Sequence, residues 1–256
     1  MKAVIVAAGL GKRLLPITKI IPKEMLPLNN KPILQHVIEE IKESGINEII
    51  IVINRKKDII REYFNPELSK DSEELNKLLR DLNINYIYQN EQEGLGHAVL
   101  QVKDLIDEPF ALLLGDAVFL SKTPCLKQLL DAFGKTGKSI INIERIPKEI
   151  IQKRGIAEGF FINDNFLRIV NLIEKPANSD SNMAISARYI LTPSIFYYLE
   201  QTEKGHSGEI QLTDAISKLS KSEEVYGYLS DAVRLDIGDR DSYLNAIIAF
   251  SKDRKV

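Results

Sequence analysis

Two apolar runs leave this chain little freedom in how it folds. Residues 2 to 8 (KAVIVAA) and 48 to 53 (EIIIVI) are almost continuously apolar instead of alternating. A strand buried on both faces reads this way, because neither side meets water. Between them, Pro32 to Ser44 puts Ile33, Leu34, Val37, Ile38 and Ile41 on one helical face. Pro32 stands at the helix start and Gly45 just past its end. Strand, helix, strand at this spacing is a βαβ unit, which predicts a parallel sheet.

The alternation continues. Residues 55 to 64 and about 70 to 82 read as helices, Asn85 to Gln89 as a short strand, and Gly96 to Ile106 as a helix. Phe110 to Leu114 is a third buried strand, ending at Gly115-Asp116. Residues 124 to 133 read as a helix and Ser139 to Ile143 as a strand. Past about residue 150 the pattern changes. Gly155 to Ile162 and Leu167 to Ile173 flank the turn-forming triplet Asn163-Asp164-Asn165, which predicts antiparallel strands. Helices follow near 193–201, 210–220 and 241–252, the last with Leu244, Ile247 and Ile248 on one face. The whole predicts a Rossmann-like, doubly wound α/β fold with one mixed sheet.

The charge balance narrows the function classes. With 34 basic and 36 acidic residues the formal net charge is -2, so no global field attracts nucleic acid or an anionic membrane. The single cysteine, Cys125, permits no intrachain disulfide, which points to a reducing compartment. The N-terminus lacks a signal-peptide pattern, and no run approaches the roughly 18 apolar residues of a membrane span. A cytoplasmic enzyme or binding protein is expected.

Ala7-Ala8-Gly9-Leu10-Gly11-Lys12-Arg13 follows the first strand directly. Small residues there let backbone N–H groups approach and cradle a phosphate, and Lys12 and Arg13 add charge. The same glycines would also serve a tight strand-to-helix turn. A dinucleotide fingerprint needs a third glycine where this chain has Leu14. A Walker A loop needs Gly at Val6 and Ser or Thr at Arg13. Neither redox-dinucleotide nor P-loop chemistry fits.

Ala7 to Pro16, followed by Ile21-Pro22-Lys23-Glu24-Met25-Leu26-Pro27, resembles the signature of sugar-nucleotide pyrophosphorylases. More narrowly it resembles the bacterial and archaeal UTP–glucose-1-phosphate uridylyltransferases. Further matches are Gly94-Leu95-Gly96-His97-Ala98, with Gln89 upstream, Gly115-Asp116, Glu174-Lys175-Pro176 and Ala187 to Pro193. The most diagnostic is Gly208-Glu209-Ile210-Gln211-Leu212-Thr213-Asp214-Ala215. The matches run from residue 2 to about 249. Lys12 departs from the family's threonine, and Ala117 stands where many relatives carry a second acidic residue.

The resemblance implies a glycosyltransferase-A-like nucleotidyltransferase fold in one domain, 1–256. Residues 1–150 would be its nucleotide-binding half and 151–256 its sugar-binding and C-terminal half. It implies Mg²⁺-dependent transfer of a uridylyl group from UTP to a sugar 1-phosphate, glucose 1-phosphate, giving UDP-glucose and pyrophosphate. The attacking phosphate is already an anion, since its second pKa is ~6. Such chemistry needs charge neutralisation and in-line positioning, not an activated side-chain nucleophile. Accordingly His36, His97 and His206 show no triad or metal spacing.

By the same resemblance Arg13 and Lys23 would hold the triphosphate and the departing pyrophosphate. Lys175 would grip the sugar phosphate and Glu174 the sugar hydroxyls, with Gly155 close to the sugar. Ala7, Ala8, Gly9 and Gly11 would lie under the nucleotide, Gln89 at the edge of its base and Gly94 beside it. Asp116 and Asp236 would hold the metal. Relatives are commonly dimers or tetramers, so a homo-oligomer is expected. The rival readings are a thymidylyltransferase, another UDP-sugar pyrophosphorylase, and a non-catalytic nucleotide-sugar-binding regulator.

Overall fold

The computed structural model describes residues 1–68, 71–205 and 208–252. Nine of its strands form one sheet. In chain order the strands are β1 (Ala3–Val6), β2 (Pro27–Leu28), β3 (Lys31–Pro32), β4 (Glu48–Ile53), β5 (Asn83–Tyr88), β6 (Phe110–Leu114), β7 (Ala117–Leu120), β8 (Ser139–Arg145), β9 (Gly155–Phe161), β10 (Phe166–Glu174), β11 (Met183–Leu191), β12 (Val225–Leu229) and β13 (Val233–Asp236). The large sheet has the order β5-β4-β1-β6-β11-β8-β12-β10-β9; β7 pairs with β13, and β2 with β3.

The helices are α1 (Ile33–Glu43), α2 (Asp58–Tyr63), α3 (Glu73–Leu79), α4 (Leu95–Leu100), α5 (Cys125–Thr136), α6 (Ile195–Glu200), α7 (Leu212–Ser222) and α8 (Arg240–Lys252). They cover both faces of the sheet. In β1, Ala3 and Ile5 belong to the cluster that includes α1 and α5, while Val4 belongs to the one that includes α6 and α7. That is why the first strand reads as an unbroken apolar run.

The pairings of β1, β4, β5 and β6 with one another are parallel as expected: β1 runs alongside β4 and β6, and β4 alongside β5. The second half is mixed, with β9 and β10 antiparallel around the Asn163–Asn165 turn. Two helices are shorter than expected. The 70–82 helix spans only Glu73–Leu79, capped by the Ser72 hydroxyl accepting from Leu75 N at 3.3 Å and stopped before Asp81 at φ 69. Residue 70 lies outside the described residues. The Gly96–Ile106 helix ends at Leu100 and gives way to a 3-10 turn, Lys103–Leu105. Asp104 and Asp107 would otherwise sit at the negative end of its dipole.

β11 is the largest element without a sequence signal of its own. It lies mid-sheet between β6 and β8, buried along its whole length. Its register against β8 shifts between Ile185 and Tyr189, and Ala187 there has φ 53. Stagger also matters. Arg188 faces Leu113 of β6, whereas Ala184 faces Ile156 of β9. The start of β9 therefore lies just beyond the carboxyl end of β6, on the edge where open α/β sheets bind ligands.

Candidate active site

The carboxyl ends of β1, β5 and β6 frame a cavity of about 370 Å³. Gly9, Gly11, Lys12, Lys23, Gln89, Gly94 and Asp116 all line it. Six residues assigned separately from the sequence thus meet in one place: Gly9, Gly11, Lys23, Gln89, Gly94 and Asp116. The glycines have steric reasons. Gly11 has φ +63, and a Cβ on it would stand 2.9 Å from Thr18 Cγ2, while Thr18 Oγ1 donates to Gly11 O at 2.8 Å. Gly94 has φ +102, and a Cβ there would lie 2.8 Å from both Glu209 Cβ and Ile210 O.

Ala7 and Ala8 are not among the residues lining the cavity. Their side chains are buried in the cores on opposite faces of the sheet. Their carbonyls are occupied: Lys57 Nζ donates to Ala7 O at 2.7 Å, and Asn54 Nδ2 to Ala8 O at 2.6 Å. Only from Gly9 onward does the loop face the cavity.

Lys23 and Asp116 form an ion pair in the cavity wall, their side chains 16% and 18% exposed. Burial alone would raise the Asp116 carboxyl. The Lys23 charge and its hydrogen bond outweigh burial and bring the pKa down to about 2. Burial likewise opposes the Lys23 ammonium, but the Asp116 and Glu24 carboxylates prevail and hold it above its ordinary value. Both groups are therefore fully charged at neutral pH. Lys23 Nζ also lies 3.8 Å from the position of a Cβ on Gly9, directly against the glycine loop.

Asp236 stands opposite Ala117 across the β7–β13 ribbon, and Ile237 N donates to Asp116 O at 3.3 Å. The two candidate metal carboxylates thus belong to adjacent backbone positions. Arg154 and Arg234 hold Asp236 at 3.0 and 3.5 Å. Among the described residues, no group of three or more His, Cys, Asp or Glu side chains gathers as a metal site. The backbones of Asp116 and Asp236 are neighbours, but Asp116 is paired with Lys23 and Asp236 with the two arginines. Both are oxygen donors of the kind Mg²⁺ takes, with phosphate and water able to fill the rest of its shell. Arg13 lies nearby, its Nη2 2.9 Å from the place of a Cβ on Gly238.

Gly155, Glu174 and Lys175 form a neighbouring cluster and are not among the residues lining the cavity. Glu174 pairs with Gly155 in the β10–β9 register. Its Oε2 accepts from Thr213 Oγ1 at 2.7 Å, while Oε1 lies 3.2 Å from Lys175 Nζ. Lys175 is 58% exposed and has φ 46, an uncommon conformation for a lysine. Its N–H donates to Arg154 O at 3.0 Å, which ties the cluster to the Asp236 ion pair.

Several residues of the site carried no role in the sequence reading. Glu24 and Lys57 form a buried ion pair of 2.6 Å behind the loop. His97, which shows no triad or metal spacing in the sequence, lies beside Gln89. Its Nδ1 lies 3.1 Å from Gln89 Nε2 and from Glu91 O, so it braces the Gln89 amide. Gln89 is itself 3% exposed. His36 Nε2 lies 2.9 Å from Leu28 O, away from the cavity, and His206 lies outside the described residues. Cys125 is buried, and burial pushes its thiol up to about 12, so it is inert.

Residues 2–253 match the family model described as Nucleotidyl transferase. The chain belongs to the nucleotidyl transferase family. This nucleotidyl transferase is 43% identical to a UTP–glucose-1-phosphate uridylyltransferase of Bacillus subtilis, over 99% of this chain and 92% of that protein. It is 39% identical to one of Staphylococcus epidermidis, over 98% and 92%. A crystal structure of a UDP-glucose pyrophosphorylase complexed with UDP-glucose superposes with a TM-score of 0.92 at 36% identity, covering 99% of both chains. Among the described residues, no helix is long and apolar enough to cross a membrane.

Proposed function

We propose that this nucleotidyl transferase moves a uridylyl group from UTP to glucose 1-phosphate, giving UDP-glucose and pyrophosphate. The observation that carries the reading is the cavity at the carboxyl edge of the sheet. There the glycine loop, the Lys23–Asp116 pair and the Gln89 amide converge. Named relatives at 39–43% identity over nearly their full length support the choice of substrates.

The sugar phosphate oxygen attacks the α-phosphorus of UTP and pyrophosphate leaves from the opposite side. Gly9 and Gly11 admit the nucleotide to the loop, and Gln89, braced by His97, meets the edge of the uracil. Arg13 and Lys23 offset charge on the triphosphate and the leaving pyrophosphate. Gly155 and Glu174 orient the sugar, and Lys175 holds its phosphate as a compact charge. Asp116 and Asp236 would hold Mg²⁺, which supplies further charge neutralisation on the phosphates. Lys23 would meet the triphosphate, and Asp116, its ion-pair partner here, would be one of the two carboxylates that hold the metal. Residues 1–150 act as the nucleotide half and 151–256 as the sugar half of one domain. The enzyme works in the cytoplasm as a homo-oligomer.

Pyrophosphate release from UTP and glucose 1-phosphate, with and without Mg²⁺, tests the reading. Metal-dependent release is expected. Tight UTP binding with no turnover would instead mark a nucleotide-sugar-binding regulator. A panel with dTTP and other sugar 1-phosphates checks the substrates, since a thymine methyl can be rejected by only ~1–3 kcal/mol through shape.

Lys175→Ala removes one charge-assisted contact, worth about 1.5–3 kcal/mol. The expected result is a KM for glucose 1-phosphate raised roughly 10- to 100-fold, with the KM for UTP little changed. Steady-state kinetics in both substrates check it, and an unaltered sugar-phosphate KM would remove Lys175 from that role.

A further inference from the structure

Arg188 is the largest fully buried side chain among the described residues, at 0% exposure. A guanidinium is always charged and carries five donors, so it stays buried only where every donor is met. Here they are. Nε and Nη2 bond the Glu40 carboxylate, with Nη2 to Oε2 at 2.7 Å. Nη1 donates to Ala187 O at 3.0 Å and Leu114 O at 3.4 Å, and Nη2 donates to Ala117 O at 2.9 Å.

Leu114 and Ala117 are the two shoulders of the Gly115-Asp116 turn. One planar group therefore clamps both sides of the turn that presents Asp116. Ala117 is also the cross-strand partner of Asp236, so the same clamp holds the root of the second carboxylate. The register shift in β11, with Ala187 at φ 53, accompanies this placement of Arg188. A positive φ in a non-glycine residue is strained and persists where its surroundings impose it. Glu40 anchors the clamp from α1 and also accepts from Leu126 N at 2.9 Å at the start of α5. The Phe119 ring closes one face of the guanidinium at 4.6 Å.

We propose that Arg188 is a positioning residue for uridylyl transfer, fixing the Asp116 turn without touching substrate. The proposal rests on the reading of Asp116 as a metal-holding carboxylate. A fixed turn holds the carboxylate where the phosphates arrive, and displacement of about 1 Å at such a site costs ~10²-fold in rate.

The test pairs Arg188→Met with Glu40→Gln, so that no charge is left buried alone and Leu126 N keeps an acceptor. Three quantities are read: the melting transition, kcat and KM for each substrate, and UTP affinity by calorimetry with and without Mg²⁺. The double variant is expected to melt cooperatively, with kcat down about 10²-fold. KM for glucose 1-phosphate should hold within roughly threefold, and the gain in UTP affinity on adding Mg²⁺ should shrink. Arg188→Lys carries the same test where the double variant does not fold, because an ammonium cannot span both carbonyls and Glu40. A folded variant of either kind with the parent kcat and the parent Mg²⁺ gain overturns the proposal. A parent enzyme without any Mg²⁺ gain, or an Asp116→Asn variant that keeps it, overturns instead the Asp116 reading beneath it.

Discussion

Asp116→Asn is expected to lower kcat by roughly 10³-fold, since it removes a charge that acts on the transferring phosphate. The variant should still fold, but not at no cost. Asp116 stands on the sheet edge outside the core, so the fold survives its loss, but its carboxylate is the partner of a largely buried Lys23. Leaving that ammonium without its partner costs about 1–3 kcal/mol. The pair also fixes the sign of a pH effect. The folded carboxyl is held near about 2 against an ordinary 3.8. A depressed value stabilises the folded state above the unfolded pKa, and that contribution is lost as pH falls from about 4 to about 2. Denaturant melts across that window should show the parent losing its advantage over Asp116→Asn. Turnover by the variant at the parent rate would remove Asp116 from the mechanism.

The parallel half of the fold and most of the cavity were legible because each rests on local pattern. The runs at 2–8 and 48–53 lie in strands buried on both faces, and the face of α1 is amphipathic. Gly11 and Gly94 take left-handed or otherwise positive φ that glycine allows, so a glycine in the sequence was already a statement about the loop. What stayed hidden depends on distant pairs. β11 has no turn signal or alternation that marks it, since it is buried on both faces and bulged. Arg188 finds its acceptors 148 residues away in α1 and 71 to 74 away around the Asp116 turn. The short β7–β13 ribbon, which brings Asp236 beside Asp116, joins segments that share no local signature. Ala7 and Ala8 fit the family motif but are consumed by packing.

Lys57→Met carries the largest expected effect on stability. Lys57 and Glu24 are 6% and 1% exposed, and Lys57 Nζ bridges Glu24 Oε2 and Ala7 O at 2.6 and 2.7 Å. Removing the lysine leaves a buried carboxylate unpaired and a carbonyl with one fewer donor, a loss of about 3–5 kcal/mol. For a chain of this size that corresponds to a fall of roughly 10 °C in melting temperature. Burial raises the Glu24 carboxyl, and without Lys57 nothing as close opposes that rise. A raised folded value stabilises below the unfolded pKa of 4.5 and is lost as pH increases. The gap between parent and variant should therefore narrow as pH falls toward that value. Glu24→Gln combined with Lys57→Met should recover most of the loss at neutral pH, because no charge is then left buried. Turnover of the single variant should fall along with its stability. Glu24 is the immediate neighbour of Lys23, and the buried pair pins that segment to the end of β1 so that Lys23 faces Asp116. Equal melting temperatures for the parent and Lys57→Met at neutral pH would show that this pair holds neither the fold nor the catalytic lysine in place.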